Sequence, residues 1–236
     1  IAMKPLVLTL IALILAGCGS PAAEPQSLRL AISPAAYPVA EAVMACLPTD
    51  GSVAVTIDSV YPSEIDYSDY DLYIRLGADR NAPFAARLAE ERILLAASGS
   101  LSVNTLTSLQ AAELLSGRIR NWAEVGGPSA DVWLFLPPNG DETVQAFSSN
   151  VVRGAFSGQA LIAFGPDVVL QNLAGNTGAA GLLPAAWADD SVRTYDFNVS
   201  LPVLALAAQT PEGAARSVLA CLQGPSGQAL LAESYP

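Results

Sequence analysis

The sequence predicts an α/β protein, and three observations support this prediction. Short runs of alternating apolar and polar residues, which are typical of half-buried strands, recur along the chain. Segments with a helical apolar period separate these runs, so strands and helices alternate instead of forming separate blocks. Hydrophobic residues make up 52% of the 236-residue chain, which is enough for a sizeable buried core.

The first half of the chain opens with a strand, a short loop and a helix. The strand is predicted at residues 28–33, and the helix at residues 38–47 begins with a proline. The segment "APFAARLA", residues 82–89, is also predicted to be helical. Further strands are predicted at residues 52–58, 71–77 and 92–98.

The second half begins with a helix over residues 106–117. Thr107 or Ser108 is its expected N-cap, and Gly117 its stop. A later helix, residues 141–152, carries acidic residues in its first turn, where the helix dipole favours them. The other predicted elements are a strand at 131–137, segments 160–165 and 167–175 that fit a strand or a helix, a strand at 201–208 and a helix at 212–224.

The N-terminus has the pattern of a secretory signal peptide. Lys4 supplies the positive charge, and the apolar run of residues 5–16 is too short to span a bilayer comfortably. The sequence "LAGC", residues 15–18, resembles a bacterial lipobox, which implies cleavage of residues 1–17 and lipidation of Cys18. The alternative, a core cysteine in a transmembrane helix, is disfavoured because Gly, Ser and Pro follow at once.

The expected lipid anchor places the folded part outside the cytoplasm, attached to the bacterial membrane. Two or more acyl chains give stable anchoring, which a single chain does not. Residues 18–27 are rich in Pro, Ala and Ser and are expected to form a flexible tether. The folded part is therefore predicted to begin at Leu28.

Composition excludes several classes of function. The net charge of -11 argues against nucleic acid as a partner. The chain contains no histidine, which excludes a Ser/His/Asp mechanism and a histidine-ligated zinc site. We therefore expect no catalytic residues, no metal and no cofactor. Cys46 and Cys221 could pair in an oxidising compartment or remain separate buried thiols.

Residues 114–147 carry a resemblance to a known family. The run "LLSGRIRNWAEVGG", the strand after it and the helix ending at Phe147 resemble the phosphate-type solute-binding proteins of ABC importers. The stretches "ISPAAYPVAEAV" and "GNTGAAGLLP" and the closing helix fit the same family more weakly. The resemblance extends from Leu28 to the C-terminus.

The resemblance implies a type II periplasmic-binding-protein-like fold with two α/β lobes. Lobe 1 would comprise residues 28–97 plus 196–236, and lobe 2 residues 98–195, with crossovers near Ala97 and Tyr195. A small molecule or ion would bind in the cleft between the lobes, and an ABC permease would be the partner of a monomeric protein. The discontinuous lobe 1 would also bring Cys46 and Cys221 into one lobe, which favours a disulfide.

The expected ligand-binding residues are Ser33, Asp141, Glu142 and Thr143. In the family a Ser-Gly-Thr loop followed by Arg holds the anion, and the matching positions here are Asp141, Glu142, Thr143 and Val144. Two carboxylates directed at an anion would repel it, by about 1 kcal/mol or more each. Ser33 matches a family hydroxyl, but Pro34 and Ala35 follow it. The residues therefore give little support to phosphate as the ligand, despite the resemblance in fold.

Several side chains keep alternative interpretations. Asp141 and Glu142 either complement the helix dipole or line a cleft for a cationic or hydroxyl-rich solute. Trp122 is expected to be structural and Trp133 to lie in the core. The remaining candidates near the cleft are carboxylates, tyrosines and arginines that could contact a ligand or serve structure alone: Asp66, Asp69, Asp71, Tyr61, Tyr67, Tyr70, Tyr73, Arg75, Arg118 and Arg120.

Two functional hypotheses follow from the sequence. The first is a membrane-anchored extracytoplasmic solute-binding lipoprotein of an ABC importer. The second is an interaction or sensor lipoprotein that keeps the binding-protein fold without high-affinity solute capture. An enzyme is not expected, because no nucleophile with a matched base is visible. A cleft with convergent donors would favour the first hypothesis, and a cleft filled by the protein's own side chains the second.

Overall fold

The computed structural model describes residues 24–235 of the chain. The predicted signal peptide, the predicted lipidation site Cys18 and most of the predicted tether lie outside these residues. The first strand starts at Gln26, so residues 26–27 belong to the folded part and not to the tether as predicted. No helix within residues 24–235 is long and apolar enough to cross a membrane.

Eight strands and six α-helices alternate along the described chain, as the α/β prediction requires. The strands are β1 (Gln26–Ile32), β2 (Val53–Ser59), β3 (Leu72–Leu76), β4 (Phe84–Ser98), β5 (Trp133–Leu136), β6 (Leu161–Ile162), β7 (Ala179–Pro184) and β8 (Val192–Ala207). The helices are α1 (Val39–Ala45), α2 (Ser108–Leu115), α3 (Glu142–Phe147), α4 (Pro166–Gly175), α5 (Gly213–Gln223) and α6 (Pro225–Ser234).

All eight strands form one sheet in the order β2-β1-β3-β8-β4-β7-β5-β6. The long antiparallel strands β4 and β8 run through its centre and connect its two halves. β1 is parallel to β2 and β3 in one half, and β5 is parallel to β6 and β7 in the other. The sheet therefore has a lobe at each end and two shared strands between them.

The passage between the lobes lies earlier on β4, and later on β8, than the predicted crossovers at Ala97 and Tyr195. Residues 203–206 of β8 pair with β3 in lobe 1, whereas residues 93–97 of β4 pair with β7 in lobe 2. Ala97 and Tyr195 thus lie within the lobe 2 half of the sheet. The change of lobe falls between Ala89 and Ile93 on β4 and between Val199 and Val203 on β8.

The predicted helix at residues 82–89 is wrong, because this segment forms the start of β4. Phe84, Ala85 and Ala86 pair with β8 at Ala207, Leu206 and Ala205. Intrinsic helix propensity is a weak preference that tertiary context overrides. Here the long partner strand β8 supplies a hydrogen-bonding edge along the whole segment, and β structure results.

Local signals were more reliable in lobe 2. Thr107 caps α2 with a reciprocal capping box to Gln110, and Gly117 adopts the left-handed conformation, with φ of +76°, after the helix. The undecided segment 167–175 lies within α4, and β6 is a two-residue strand within segment 160–165. The chain also contains α6, which the sequence did not predict and which begins with Pro225.

The two tryptophans considered in the sequence have different environments. Trp122 is fully buried, and its indole N–H donates to the Gly178 carbonyl at 2.9 Å, which confirms its structural role. The expectation that Trp133 lies in the core is wrong, because its side chain is 51% exposed. Trp133 is the first residue of β5, next to the edge strand β6, where the sheet leaves its side chain open.

In lobe 1 the first helix, α1, packs against the last two helices, α5 and α6. Cys46 at the end of α1 and Cys221 in α5 form a disulfide, with their Cα atoms 5.7 Å apart. The Tyr235 hydroxyl, just after α6, donates to the Ala36 carbonyl at 2.8 Å. These contacts join the C-terminal segment to the beginning of the fold and leave the other side of lobe 1 to face the cleft.

Candidate functional site

The candidate site lies where the ends of β1 and β3 in lobe 1 meet the start of α3 in lobe 2. Seven polar or charged residues within the described chain are buried, and five of them belong to these segments. Those five are Ser33, Arg75, Asp141, Glu142 and Thr143. The structure thus brings the four sequence-predicted ligand residues together and adds Arg75, one of the three arginines that the sequence left open.

The carboxyl group of Glu142 reaches from lobe 2 to polar groups of lobe 1. Its Oε1 accepts a hydrogen bond from the Leu76 backbone N–H at 3.3 Å and lies 4.0 Å from Nε of Arg75. The side chain is 1% exposed. Glu142 thus places a carboxyl group from lobe 2 against Leu76 and Arg75 of lobe 1. Beside it, a cavity of about 380 Å³ stays open between the lobes, lined by Arg75, Asp79 and Arg80 on one side and by Gly140 and Gln145 on the other.

The carboxylate is held in an environment that opposes its charge. Burial, followed by repulsion from Asp141, raises the pKa of Glu142 to about 7, although Ser33 and Arg75 act in the opposite direction. Its Oε2 and the Ser33 Oγ are both buried and find no hydrogen-bond partner of good geometry among the described residues. Each lobe therefore contributes one buried oxygen that could still form a hydrogen bond: the Ser33 Oγ from lobe 1 and the Glu142 Oε2 from lobe 2.

Arg75 connects Glu142 to a second acid that the sequence analysis did not identify. Its Nη1 lies 3.5 Å from Oδ2 of Asp79, which also accepts a hydrogen bond from the Tyr67 hydroxyl at 2.9 Å. Burial acts to raise the pKa of Asp79, but hydrogen bonds from Asn81 and Tyr67 lower it overall. A chain of polar contacts thus runs from Tyr67 through Asp79 and Arg75 to Glu142.

The polar groups of Asp141 and Thr143 are hydrogen-bonded to each other. Asp141 is the N-cap of α3, and its Oδ1 accepts hydrogen bonds from both the backbone N–H and the hydroxyl of Thr143. Burial raises the pKa of Asp141 despite these bonds. The helix-capping interpretation therefore fits Asp141, whereas Glu142 is the residue directed across the cleft.

The other acids of the first lobe lie elsewhere. Asp66 caps a short 3₁₀ turn, and Asp71 accepts the backbone N–H of Arg29 at 2.8 Å. Asp69 and Asp71 line a surface groove with residues 207–213, on the far end of β8 from the cleft. The structure therefore does not bring these acids together with Asp141 and Glu142.

Most of the candidate tyrosines contact other residues of the protein and therefore have a structural role. Tyr67 and Tyr73 pack edge to face with ring centroids 6.0 Å apart, and the Tyr73 hydroxyl donates to the Val60 carbonyl at 3.1 Å. Tyr70 lies against the Arg29 guanidinium at 5.3 Å. Tyr61 is the exception, because its buried hydroxyl has no partner within the part of the chain described and burial, with the charge of Asp141 next, raises its pKa to about 12.

Of the other arginines, Arg80 lines the cavity between the lobes with Arg75, whereas Arg118 and Arg120 have partners in lobe 2. Arg118 pairs with Glu113 at 3.8 Å on the surface, and Nε of Arg120 donates to the Gly117 carbonyl at 3.1 Å. Arg75 could have been singled out from the sequence by one signal, since a charged residue inside the otherwise apolar strand "LYIRL" requires a buried partner. Asp79 follows it closely after the turn at Gly77 and supplies one such partner.

Solved structures share this fold. A protein of Clostridium perfringens described as a phosphate ABC transporter substrate-binding protein, with bound phosphate, matches with a TM-score of 0.80 and 20% identity over 89% of this chain and 98% of that one. An ABC-type phosphate transport receptor from Vibrio cholerae matches with a TM-score of 0.67 and 17% identity over 88% and 98% of the two chains.

The same fold also occurs in a regulatory protein. The regulatory domain of HypT from Salmonella typhimurium matches with a TM-score of 0.60 and 13% identity over 89% of this chain and 99% of that domain. No protein-family model matches the sequence. The comparisons show the two-lobed periplasmic-binding-protein-like fold, and a shared fold at such identities does not specify a ligand.

Proposed function

We propose that this chain is a lipid-anchored extracytoplasmic protein that keeps the solute-binding fold but does not capture phosphate with high affinity. Its own Glu142 occupies the part of the cleft next to Leu76 and Arg75, and it acts as an interaction or sensor lipoprotein. The observation that carries this proposal is the buried Glu142 carboxyl, which accepts the Leu76 N–H and faces Arg75 from the opposite lobe. A free anion would have to displace it.

Electrostatics support the proposal. A phosphate ion in this cleft would meet Glu142 and Asp141 from lobe 2 and Asp79 from lobe 1, with Arg75 as the neighbouring cation. Charges in a buried site interact strongly, and removing an anion from water is costly unless compensating donors and cations are available. Arg75 already faces Asp79 and Glu142, and Arg80 is the other cation that lines the cavity. Because the pKa of Glu142 is raised to about 7, the balance of charge opposes a further anion most strongly above pH 7.

A calorimetric titration of the full chain tests this function. Phosphate, sulfate, a polyamine, amino acids and sugars are each titrated into the detergent-solubilised protein at neutral pH. We expect no saturable heat with phosphate or sulfate up to millimolar concentration. A phosphate dissociation constant in the micromolar range or below would contradict the proposal and identify a solute-capturing protein.

A second candidate function is solute delivery to an ABC permease. It is favoured by the fold shared with the phosphate-bound protein of Clostridium perfringens and by donors from two lobes that meet in one cleft. Hinge closure around a ligand would then be the mechanism. The same titration distinguishes the candidates, because saturable binding of a polyamine, amino acid or sugar would favour delivery of that solute.

The anchoring part of the proposal needs its own experiment. The variant Cys18→Ala removes the acceptor thiol, so the protein is expected to lose its lipid and its stable membrane association. Ser20→Ala, two residues further on, is the matched control and should remain membrane-bound. Recovery of Cys18→Ala in the membrane fraction after a carbonate wash would refute lipid anchoring.

A further inference from the structure

Three residues of lobe 1, Ser33, Arg75 and Leu76, surround the Glu142 carboxyl of lobe 2. We call these three residues the cradle, since lobe 1 holds them in place independently of Glu142. Leu76 ends β3, and its backbone N–H donates to Glu142 and not to a neighbouring strand. Ser33 follows β1 directly, is completely buried and has a free Oγ as judged from the described residues. The third member is Arg75, which is 7% exposed. Nε of Arg75 lies 4.0 Å from Glu142 Oε1 and donates to the Leu76 carbonyl at 3.1 Å. The guanidinium therefore contributes its positive charge to the cradle, while the backbone N–H and the hydroxyl contribute the hydrogen-bond donors.

These are the groups that recognise a small oxyanion. Charge-assisted hydrogen bonds from arginine, together with hydroxyl and backbone N–H donors, favour carboxylate, phosphate and sulfate oxygens. Glu142 makes incomplete use of them, because its Oε1 has one hydrogen bond while Oε2 and the Ser33 Oγ are left over. A carboxylate fixed to a helix cannot take the position that would satisfy every donor.

We infer that the Glu142 carboxyl is a tethered substitute for an oxyanion ligand, and that the Ser33, Leu76 and Arg75 cradle accepts a free oxyanion once this side chain is removed. The inference rests on the proposed function and specifies what keeps the cleft of the wild type occupied. Truncation at Cβ removes a methylene and a carboxyl group, a volume close to that of a small oxyanion. It also removes the carboxylate that repels one.

The remaining charges limit how tight such binding can be. Asp79 still faces Arg75 at 3.5 Å, and Asp141 stays buried beside the vacated position. We therefore predict a clear gain of affinity relative to the wild type and not the affinity of a dedicated site.

The test compares Glu142→Ala with Glu142→Gln in the full chain. Glu142→Ala is expected to bind inorganic phosphate at least tenfold more tightly than the wild type, by calorimetry at one fixed pH. Glu142→Gln keeps a side chain of the same shape in the cradle and is expected to show no comparable gain. The double variant Glu142→Ala with Arg75→Ala should lose the gained binding, because the cradle then lacks its cation.

Further probes identify the class of anion. Sulfate and phosphate test for a tetrahedral oxyanion, formate and acetate test for a free carboxylate in place of the missing one, and chloride serves as the control for ionic strength. Binding of any oxyanion, without binding of chloride, supports the inference. Glu142→Ser is a second short variant that replaces Glu142→Ala if the latter does not unfold cooperatively.

The two proposals fail in different ways. Tight phosphate binding by the wild type would overturn the proposed function, whatever the variants do. If the wild type does not bind and folded Glu142→Ala and Glu142→Ser do not bind any oxyanion either, the tethered-substitute inference is wrong while the proposed function stands. An equal gain in Glu142→Gln would also overturn it, since loss of charge alone would then suffice.

Discussion

Two buried glutamates lie between the lobes, Glu142 in the cleft and Glu91 on β4 where that strand passes from one lobe to the other. Their side chains are almost equally inaccessible, and burial is the main reason that the pKa of each is raised to about 7. Each also has one oxygen without a hydrogen-bond partner in the described part of the chain. By burial and titration alone the two residues could not be told apart.

The two glutamates differ in the groups that their carboxyl oxygens contact. Oε1 of Glu91 accepts backbone N–H groups of Ala185 and Ala186, at 2.9 and 3.4 Å, at the start of a 3₁₀ turn that follows β7. Glu91 therefore caps a turn and holds β4 against lobe 2. Glu142 instead faces Arg75 across the cleft. The difference teaches that the groups around a buried carboxylate, and not its burial, distinguish a structural cap from a carboxylate that occupies a binding position.

The largest effect on stability is expected from removal of Arg75, the cation that faces Glu142. Arg75→Ala leaves the buried Glu142 and the half-buried Asp79 without the cation that each of them faces, and should cost about 3–5 kcal/mol of unfolding free energy at pH 8. Arg87→Ala, which breaks the exposed pair with Glu90, is the control and should cost about 1 kcal/mol or less. Denaturant titration measures both, and equal losses would mean that Arg75 is not the group that compensates Glu142.

Loss of the cap should have a smaller effect. Glu91→Ala leaves the N–H groups of Ala185 and Ala186 without their acceptor and should cost about 1–3 kcal/mol. Glu91→Gln keeps an acceptor and should cost less. Neither variant should give the protein phosphate binding, in contrast to Glu142→Ala. Phosphate binding by a Glu91 variant would remove the distinction between the two residues.

The pH dependence of stability should be shared by both residues. A carboxyl whose pKa is raised on folding, here from 4.5 to about 7, stabilises the folded state fully below pH 4.5 and loses that contribution as the pH rises to 7. Unfolding free energy should therefore fall between pH 5 and pH 7, by up to about 1.4 kcal/mol per pH unit for each group.

Matched variants show which carboxyl group causes the fall of unfolding free energy with pH. Glu91→Gln and Glu142→Gln should each remove part of it, measured by denaturant unfolding at a series of pH values, and Asp141, whose pKa burial also raises, contributes to the remainder. A wild-type stability that rises over the same range would show that neither carboxyl is held in its protonated form by the fold. A slope removed by only one variant would assign the raised pKa to that residue.

The smallest expected effect concerns Ser33. Its buried Oγ has no partner among residues 24–235, so Ser33→Ala should change the stability of the wild type by less than about 0.5 kcal/mol. In the background of Glu142→Ala the same change should weaken phosphate binding several-fold. A large loss of stability in the wild type would mean that Ser33 Oγ already binds a group, such as a buried water, that satisfies it.

The fold could be predicted where the signals were local. The α2 capping box, the strand that leads to Ser33 and the buried Trp122 all depend on residues close in sequence or on a specific motif. The start of β4 could not be predicted, because residues 84–89 form a strand only against β8, more than 100 positions away. The exposure of Trp133 depends in the same way on which strand lies at the sheet edge.

The structure brings the four predicted ligand residues together, but the sequence did not give their contacts. The resemblance to the family loop pointed to Asp141, Glu142 and Thr143 and suggested that both acids would repel an anion. Only the three-dimensional structure separates them, since Asp141 turns back to Thr143 while Glu142 reaches Leu76, 66 positions away in the sequence. Asp79 was missed because its importance depends on the guanidinium of Arg75 lying between it and Glu142.

We propose that, in the wild-type protein, the Glu142 carboxyl occupies the position next to Leu76 and Arg75 where an oxyanion would bind. The most direct test of this proposal is a crystal structure of the wild-type protein grown in millimolar phosphate at neutral pH. The account predicts the Glu142 carboxyl against the Leu76 N–H and Arg75, with no phosphate between the lobes. Phosphate bound to Arg75 and Ser33, with the Glu142 side chain turned away from the cleft, would contradict it.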